Sequence, residues 1–302
     1  MLAILAPGQG SQTPSMLTAW LEDAELKNLL TSYSSAINLD LERLGTVADA
    51  DEIKDTANAQ PLIVAASLIS AHALGSDVDA SFVAGHSVGE ITAAALAATL
   101  TELDAMKLVH LRGQEMAKAA ALSPAGMAAV LGGERSVVLA AIKELGLVAA
   151  NDNGAGQIVA AGNLDALSQL APEGARVRAL AVAGAFHTPF MEPAVAPLRA
   201  MAADIETSAA KVSVISNRDG AVVRDGREVL DRIVNQIANP VRWDLCMETL
   251  RAQGVTGVIE LAPGGTLAGL IKRAAPEIEQ LALKSPADIA AAREFAARHG
   301  KA

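Results

Sequence analysis

Residues 81–98 read SFVAGHSVGEITAAALAA. A short apolar run, ASFVAG, leads into Gly-His-Ser-Val-Gly, and the helical pattern EITAAALAATL leads out of it. Gly-x-Ser-x-Gly between a strand and a helix has the form of a nucleophile elbow. Glycine at 85 and at 89 permits a turn sharp enough to push the Ser87 hydroxyl clear of the backbone. The amide of Val88, at the start of the following helix, then points to where negative charge gathers on a reacting carbonyl. The same pattern also fits a glycine-rich connection that only packs a helix on a strand. The rest of the chain decides between the two.

Outward from this stretch, strands and helices alternate. LAILA (residues 2–6) is a strand ending in the loop PGQGSQ, and a helical pattern follows to about Tyr33. TANAQPLIVAASLISAHALG predicts a buried helix, apolar almost all round, and Thr101 is a candidate N-cap for another. From 122 to 190 the rhythm changes. GMAAVLG, LVAAND, GQIVAAG and RVRALAVAG are strand-like. ERSVVLAAIKELG, closed by Gly146, and NLDALSQLA, capped by Asn163, are helical, and a turn falls at Asn153 and Gly154. The resulting order, β-α-β-β-α-β, is ferredoxin-like.

After it come a helix (191–204), the strand KVSVISN, the helix REVLDRIVNQIA ending before Pro240, and a helix over 243–253. The strands VTGVIEL and EQLALKS and a charged terminal helix complete the chain. The prediction is an α/β protein. A large domain, residues 1–121 and 191–302, has a hydrolase-like nucleophile elbow and a largely parallel sheet, and residues 122–190 form an inserted ferredoxin-like subdomain.

Composition narrows the function. Of 302 residues, 51% are hydrophobic and 19% charged, which supports a packed core. With 2% aromatic residues and a net charge of -10, stacking on bases and binding to phosphate backbones are not expected. Cys246 is the only cysteine, so no internal disulfide forms, as in a reducing cytoplasm. The first cationic residue is Lys27, so the start lacks the charged region of a secretory signal. PLIVAASLISAHALG is too short for a bilayer span. A cytoplasmic monomer without membrane contact is expected.

A serine hydroxyl needs a base. His299 lies in the tail, His72 on an apolar helix where a buried structural role is expected, and His110 within a helix. His86 adjoins Ser87, and neighbouring side chains on a tight turn diverge. His187, in AGAFHTPF, follows a strand and precedes Pro189, a loop position able to deliver an imidazole to a cleft. Asp152 or Asp165 could orient it, and a dyad is equally open.

PGQGSQ carries Gly8 and Gly10, but Thr13 leaves the dinucleotide fingerprint incomplete. A second backbone donor for an oxyanion suits that loop better, beside a plain turn. Arg112 in VHLRGQEM would suit a carboxylate if it faced a cleft, although a lone helix arginine is ordinarily solvated or ion-paired. Phosphate-loop and metal-site motifs are missing.

PGQGSQ, GHSVGE, RG at 112–113, AFHT at 185–188 and NPVRW at 239–243 follow one another in an order that resembles the malonyl-CoA:acyl carrier protein transacylases, over nearly the whole chain. The resemblance implies that Ser87 is acylated and His187 is its base, oriented by the main-chain carbonyl of Gln236 in place of a carboxylate. It implies an oxyanion hole from the amides of Gln9 and Val88, and Arg112 as clamp for the malonyl carboxylate. Relatives that take methylmalonyl units tend to have a smaller residue where Phe186 stands, which implies malonyl. Thr188 stands where many relatives have serine. The implied partners are malonyl-CoA and acyl carrier protein in a ping-pong exchange that requires no metal or redox cofactor. Acidic carriers would need a local basic rim, for which Arg242, Lys272 and Arg273 are candidates. A serine esterase or thioesterase, and a docking subunit without chemistry, are the alternatives from other classes. Within the family, polyketide synthesis and malonate decarboxylation stay open.

Overall fold

The computed structural model describes residues 1–76 and 78–300. Strands β1 (Leu2–Ala6) and β2 (Phe82–Gly85) precede a block of four: β3 (Ala125–Gly132), β4 (Val148–Asp152), β5 (Gln157–Asn163) and β6 (Ala175–Ala179). Strands β7 (Ser213–Ile215), β8 (Val222–Val223), β9 (Val241–Arg242), β10 (Gly257–Glu260) and β11 (Glu279–Ala282) follow. The main sheet has the order β11-β10-β1-β2-β7-β8 and is parallel except for the β7–β8 pair. Its central strands are continuously apolar, as sheets covered on both faces require, and all of β1 and β2 is buried.

The register pairs Ala6 with Gly85. The loops that follow β1 and β2 therefore emerge side by side at the carboxyl end of the sheet, where open α/β sheets hold their ligands.

The helix Thr56–Leu74 packs along the helix Glu102–Ala120. Leu62, Ile63, Leu68 and Ile69 are fully buried, each contributing about 1.5–3 kcal/mol. At 19 residues this helix is longer than its apolar run suggests, and by length and composition it could cross a bilayer, a correction to the sequence reading. In the fold, 72% of its most apolar window is buried inside the protein.

The second sheet has the order β6-β3-β5-β4-β9. Its first four strands are antiparallel and, with the helices Arg135–Glu144 and Leu164–Gln169, run β-α-β-β-α-β. Side chains alternate along β3 and β5. Val130, Ile158 and Ala160 join Val138 and Ile142 in a core under the helices, while Met127, Ala129 and Val159 face a cavity toward the main sheet. Asn163 caps its helix through the Asp165 and Ala166 amides, and Thr101 caps its own through Asp104.

Three local readings change. The pattern before Tyr33 is a 3-10 turn (Trp20–Glu22) and a helix (Ala24–Ile37), because the Asp23 carboxylate starts a new helix by accepting from Glu25 and Leu26. The strand expected through residue 184 stops at Ala179: after Leu180 N–H donates to Met127, the chain leaves the sheet and lines the cavity with Leu180 and Val182. Within NPVRW, β9 pairs in parallel with β4, so the second sheet also recruits residues from outside 122–190.

Candidate active site

The elbow joins β2 to the helix Gly89–Leu96. A Cβ on Gly85 would lie 1.9 Å from the main chain of Gly89, and one on Gly89 would lie 2.3 Å from the carbonyl oxygen of Ala6. Only glycine fits either position. Ser87 itself has φ +53°, a left-handed conformation that costs a non-glycine residue energy and needs external support. Asn217 supplies it. Its Oδ1 accepts from Ser87 N–H (2.8 Å), and its Nδ2 donates to the Gly85 carbonyl (2.7 Å).

The Ser87 Oγ lies 2.7 Å from Nε2 of His187, and His187 Nδ1 lies 2.9 Å from the Gln236 carbonyl. A carbonyl only accepts, so Nδ1 carries the proton and Nε2 is left to accept from the serine. His187 is buried, and its own amide donates to the carbonyl of Ile237 (3.1 Å). Burial, followed by the charge of Arg112, pushes its pKa down to about 3. The imidazole is neutral at physiological pH.

Among the described residues no carboxylate takes this position. Asp152 binds Arg135, and Asp165 lies exposed in the first turn of its helix. His86 turns away from Ser87 to Asn153 Oδ1 (2.9 Å), and His110 meets Gln114. His72, expected in the core, is exposed and bonded to Glu102, because the apolar helix has a solvent-facing end. His299 is buried against Thr256, far along the sheet.

Arg112 departs most from its ordinary expectation. It is fully buried, because Gly113 lets its helix approach the start of Thr56–Leu74: a Cβ there would meet the Thr56 carbonyl at 2.9 Å. Its Nη1 donates to Gln60 Oε1 (2.6 Å), and its Nη2 to Gln236 Oε1 (3.0 Å) and Ser87 Oγ (3.4 Å). Among the described residues its Nε has no partner, and no carboxylate bonds to the guanidinium. Burial lowers its pKa to about 10, with Glu90 opposing, so it stays cationic. A buried cation with neutral partners and spare donors is matched to an incoming anion.

The adjoining cavity, ≈ 220 Å³, is lined by Gly8, Gln9, Gly10, Gln60, Ser87, His187, Phe186 and Met116, with second-sheet residues opposite. Met116 stands one turn beyond Arg112 on the same helix face. The backbone amides of Gln9 and Val88 have no acceptor among the described residues. Of the basic residues, Arg242 is bound to Asp244 through two hydrogen bonds. Lys272 and Arg273 are exposed at the far end of the helix Thr266–Ala274, whose first turn lines the cavity.

Three participants escaped sequence reading. Gln60 is a polar residue in an apolar helix, and that interruption was the available signal. Asn217 has no local signal. Glu90 reads as an ordinary acidic residue in a first helical turn, yet it is 3% exposed, and burial raises its pKa to about 7.

The family model described as "Acyl transferase domain" matches residues 5–291, which take in the serine elbow and the second sheet. The chain is 51% identical over 299 residues to the malonyl CoA-acyl carrier protein transacylase of Mycobacterium tuberculosis, covering 96% of this chain and 98% of that protein. The crystal structure of MCAT from Mycobacterium tuberculosis superposes with a TM-score of 0.93 at 50% identity, over 97% of this chain and 99% of the other. A type II PKS acyl-carrier protein in complex with its malonyl-transacylase contains a similar chain, with a TM-score of 0.91 at 28% identity over 97% and 99%. The chain belongs to the acyl transferase domain family and, within it, to the malonyl CoA-acyl carrier protein transacylases.

Proposed function

We propose that this protein moves the malonyl group from malonyl-CoA to the phosphopantetheine thiol of acyl carrier protein, through a malonyl ester on Ser87, to supply fatty acid synthesis. The observation that carries the reading is the buried, incompletely bonded Arg112 beside a serine that is hydrogen-bonded to a neutral histidine.

His187 Nε2 takes the proton as Ser87 Oγ attacks the thioester carbonyl. The amides of Gln9 and Val88 receive the oxyanion, the carbon–sulfur bond breaks, and His187 returns the proton to the coenzyme A thiolate. In the second half, His187 takes the proton of the carrier thiol, whose sulfur attacks the ester, and Ser87 leaves reprotonated. The redox state does not change, so the chemistry needs no redox cofactor, and its proton transfers need no metal. The Gln236 carbonyl keeps His187 in one tautomer, Arg112 holds the malonyl carboxylate, and Phe186 fills the space that a larger acyl branch would need.

Residues 122–190 act as a subdomain that closes the acyl cavity against the large domain, residues 1–121 and 191–302. The carrier docks on a basic rim that includes Arg242, Lys272 and Arg273. The protein works as a cytoplasmic monomer. Intact-mass spectrometry after mixing with malonyl-CoA tests the reading: a malonyl adduct that Ser87→Ala abolishes is expected, and an adduct that survives this substitution would overturn it.

A further inference from the structure

A buried carboxylate unused by the proposed chemistry lies beneath the elbow. Glu90 Oε1 accepts from the main-chain N–H of Asn217 (2.5 Å), and Oε2 accepts from Nε2 of Gln236 (2.5 Å). The Gln236 amide also donates to Asn217 Oδ1 (3.1 Å) and to the Ser87 carbonyl (3.2 Å), while its Oε1 faces Arg112. Asn217 has fixed ends too, since Oδ1 receives the Ser87 amide and Nδ2 donates to Gly85.

Every group around Gln236 Nε2 is therefore an acceptor, and the group facing Oε1 is a cation. Reversing the amide would set its oxygen against a carboxylate and two carbonyl oxygens, and its NH2 against the guanidinium. The main-chain carbonyl of Gln236, which meets His187, is untouched by such a reversal.

We propose that Glu90 is a specificity-setting positioning residue: by fixing the side-chain amide of Gln236 it holds Arg112 turned toward Ser87, and so sets the preference for acyl groups that bear a carboxylate. The inference rests on Arg112 as the malonyl clamp. Glu90→Gln keeps one oxygen for the Asn217 amide but sets an NH2 against Gln236 Nε2. Gln236 then loses the one charged acceptor that fixes its amide, and its Oε1 holds Arg112 toward Ser87 less firmly.

The test compares acylation by malonyl-CoA and acetyl-CoA, by single-turnover mass spectrometry, for the parent protein, E90Q, Q236L, E90Q/Q236L and R112A. In E90Q the malonyl-to-acetyl ratio of kcat/KM falls roughly tenfold or more, carried by malonyl. Q236L reproduces the fall, and E90Q adds nothing to it in the Q236L background. An unchanged ratio, an equal fall with both donors, or an additive double variant overturns the proposal. If E90Q does not fold, Q236L decides: an unchanged ratio overturns it. R112A separates the two readings. An unchanged ratio in R112A removes the clamp itself, whereas a shift in R112A with none in E90Q removes only the role of Glu90.

Discussion

Arg112 donates to the hydroxyl of Ser87 across 3.4 Å, although they lie 25 positions apart in the chain with the helix Gly89–Leu96 between them. Burial of the guanidinium makes this contact informative. A fully buried cation is costly unless it is bonded, and Arg112 is bonded only to uncharged groups. A carboxylate delivered beside Ser87 would complete its set.

Arg112→Ala is therefore expected to slow malonyl acylation by about a hundredfold, the loss of one or two charged hydrogen bonds of about 1.5–3 kcal/mol each. Acetyl acylation falls far less or improves. Steady-state kcat/KM for both donors checks this, and an unchanged malonyl-to-acetyl preference would show that Arg112 serves another purpose.

The pH dependence follows from His187. Its pKa is pushed down to about 3, so the neutral, proton-accepting form dominates everywhere above that value. Acylation by acetyl-CoA, whose acyl group has no carboxyl to titrate, should stay nearly flat from pH 7 to 5.5. A base at the ordinary value near 6.5 would lose roughly eightfold over the same range. Stopped-flow or quench measurements separate the two.

Asn217 holds the elbow through both its ends. Asn217→Ala leaves the Ser87 N–H and the Gly85 carbonyl without that partner, at about 1–3 kcal/mol each. The melting temperature should fall, and acylation by malonyl-CoA and acetyl-CoA should fall together. Selective loss of malonyl acylation would place Asn217 in substrate recognition instead.

Lys272 and Arg273 are exposed, so their expected effect is on encounter with an acidic carrier. Reversing both charges should slow transfer to the carrier several-fold at low salt, with the difference shrinking as salt rises. Acylation by malonyl-CoA should be little changed. Equal slowing of both half-reactions would remove these residues from the docking surface.

What the sequence disclosed follows the range of each interaction. The elbow is local: Gly85, Ser87 and Gly89 lie within five positions, and their steric logic is complete there. The caps at Thr101 and Asn163 act within three residues and were equally readable. The six strands and helices of residues 122–190 carried their own periodicity.

Arg112 was different. Its burial depends on Gly113 meeting Thr56, which the helix pattern alone could not reveal. The carbonyl of Gln236 came from family resemblance, and Asn217 reaches the elbow from 130 residues away, with no local mark. His72 reaches water although its helix is apolar: composition reports how apolar a helix is, not which end is exposed.

A chase experiment tests the acyl transfer itself. The protein is loaded with malonyl-CoA, freed of excess donor, and mixed with pantetheinylated acyl carrier protein while both masses are followed. The Ser87-dependent adduct should disappear as malonyl appears on the carrier in equal amount. Decay of the adduct mainly to free malonate, with the carrier present and unloaded, would contradict the transfer and make the protein a hydrolase.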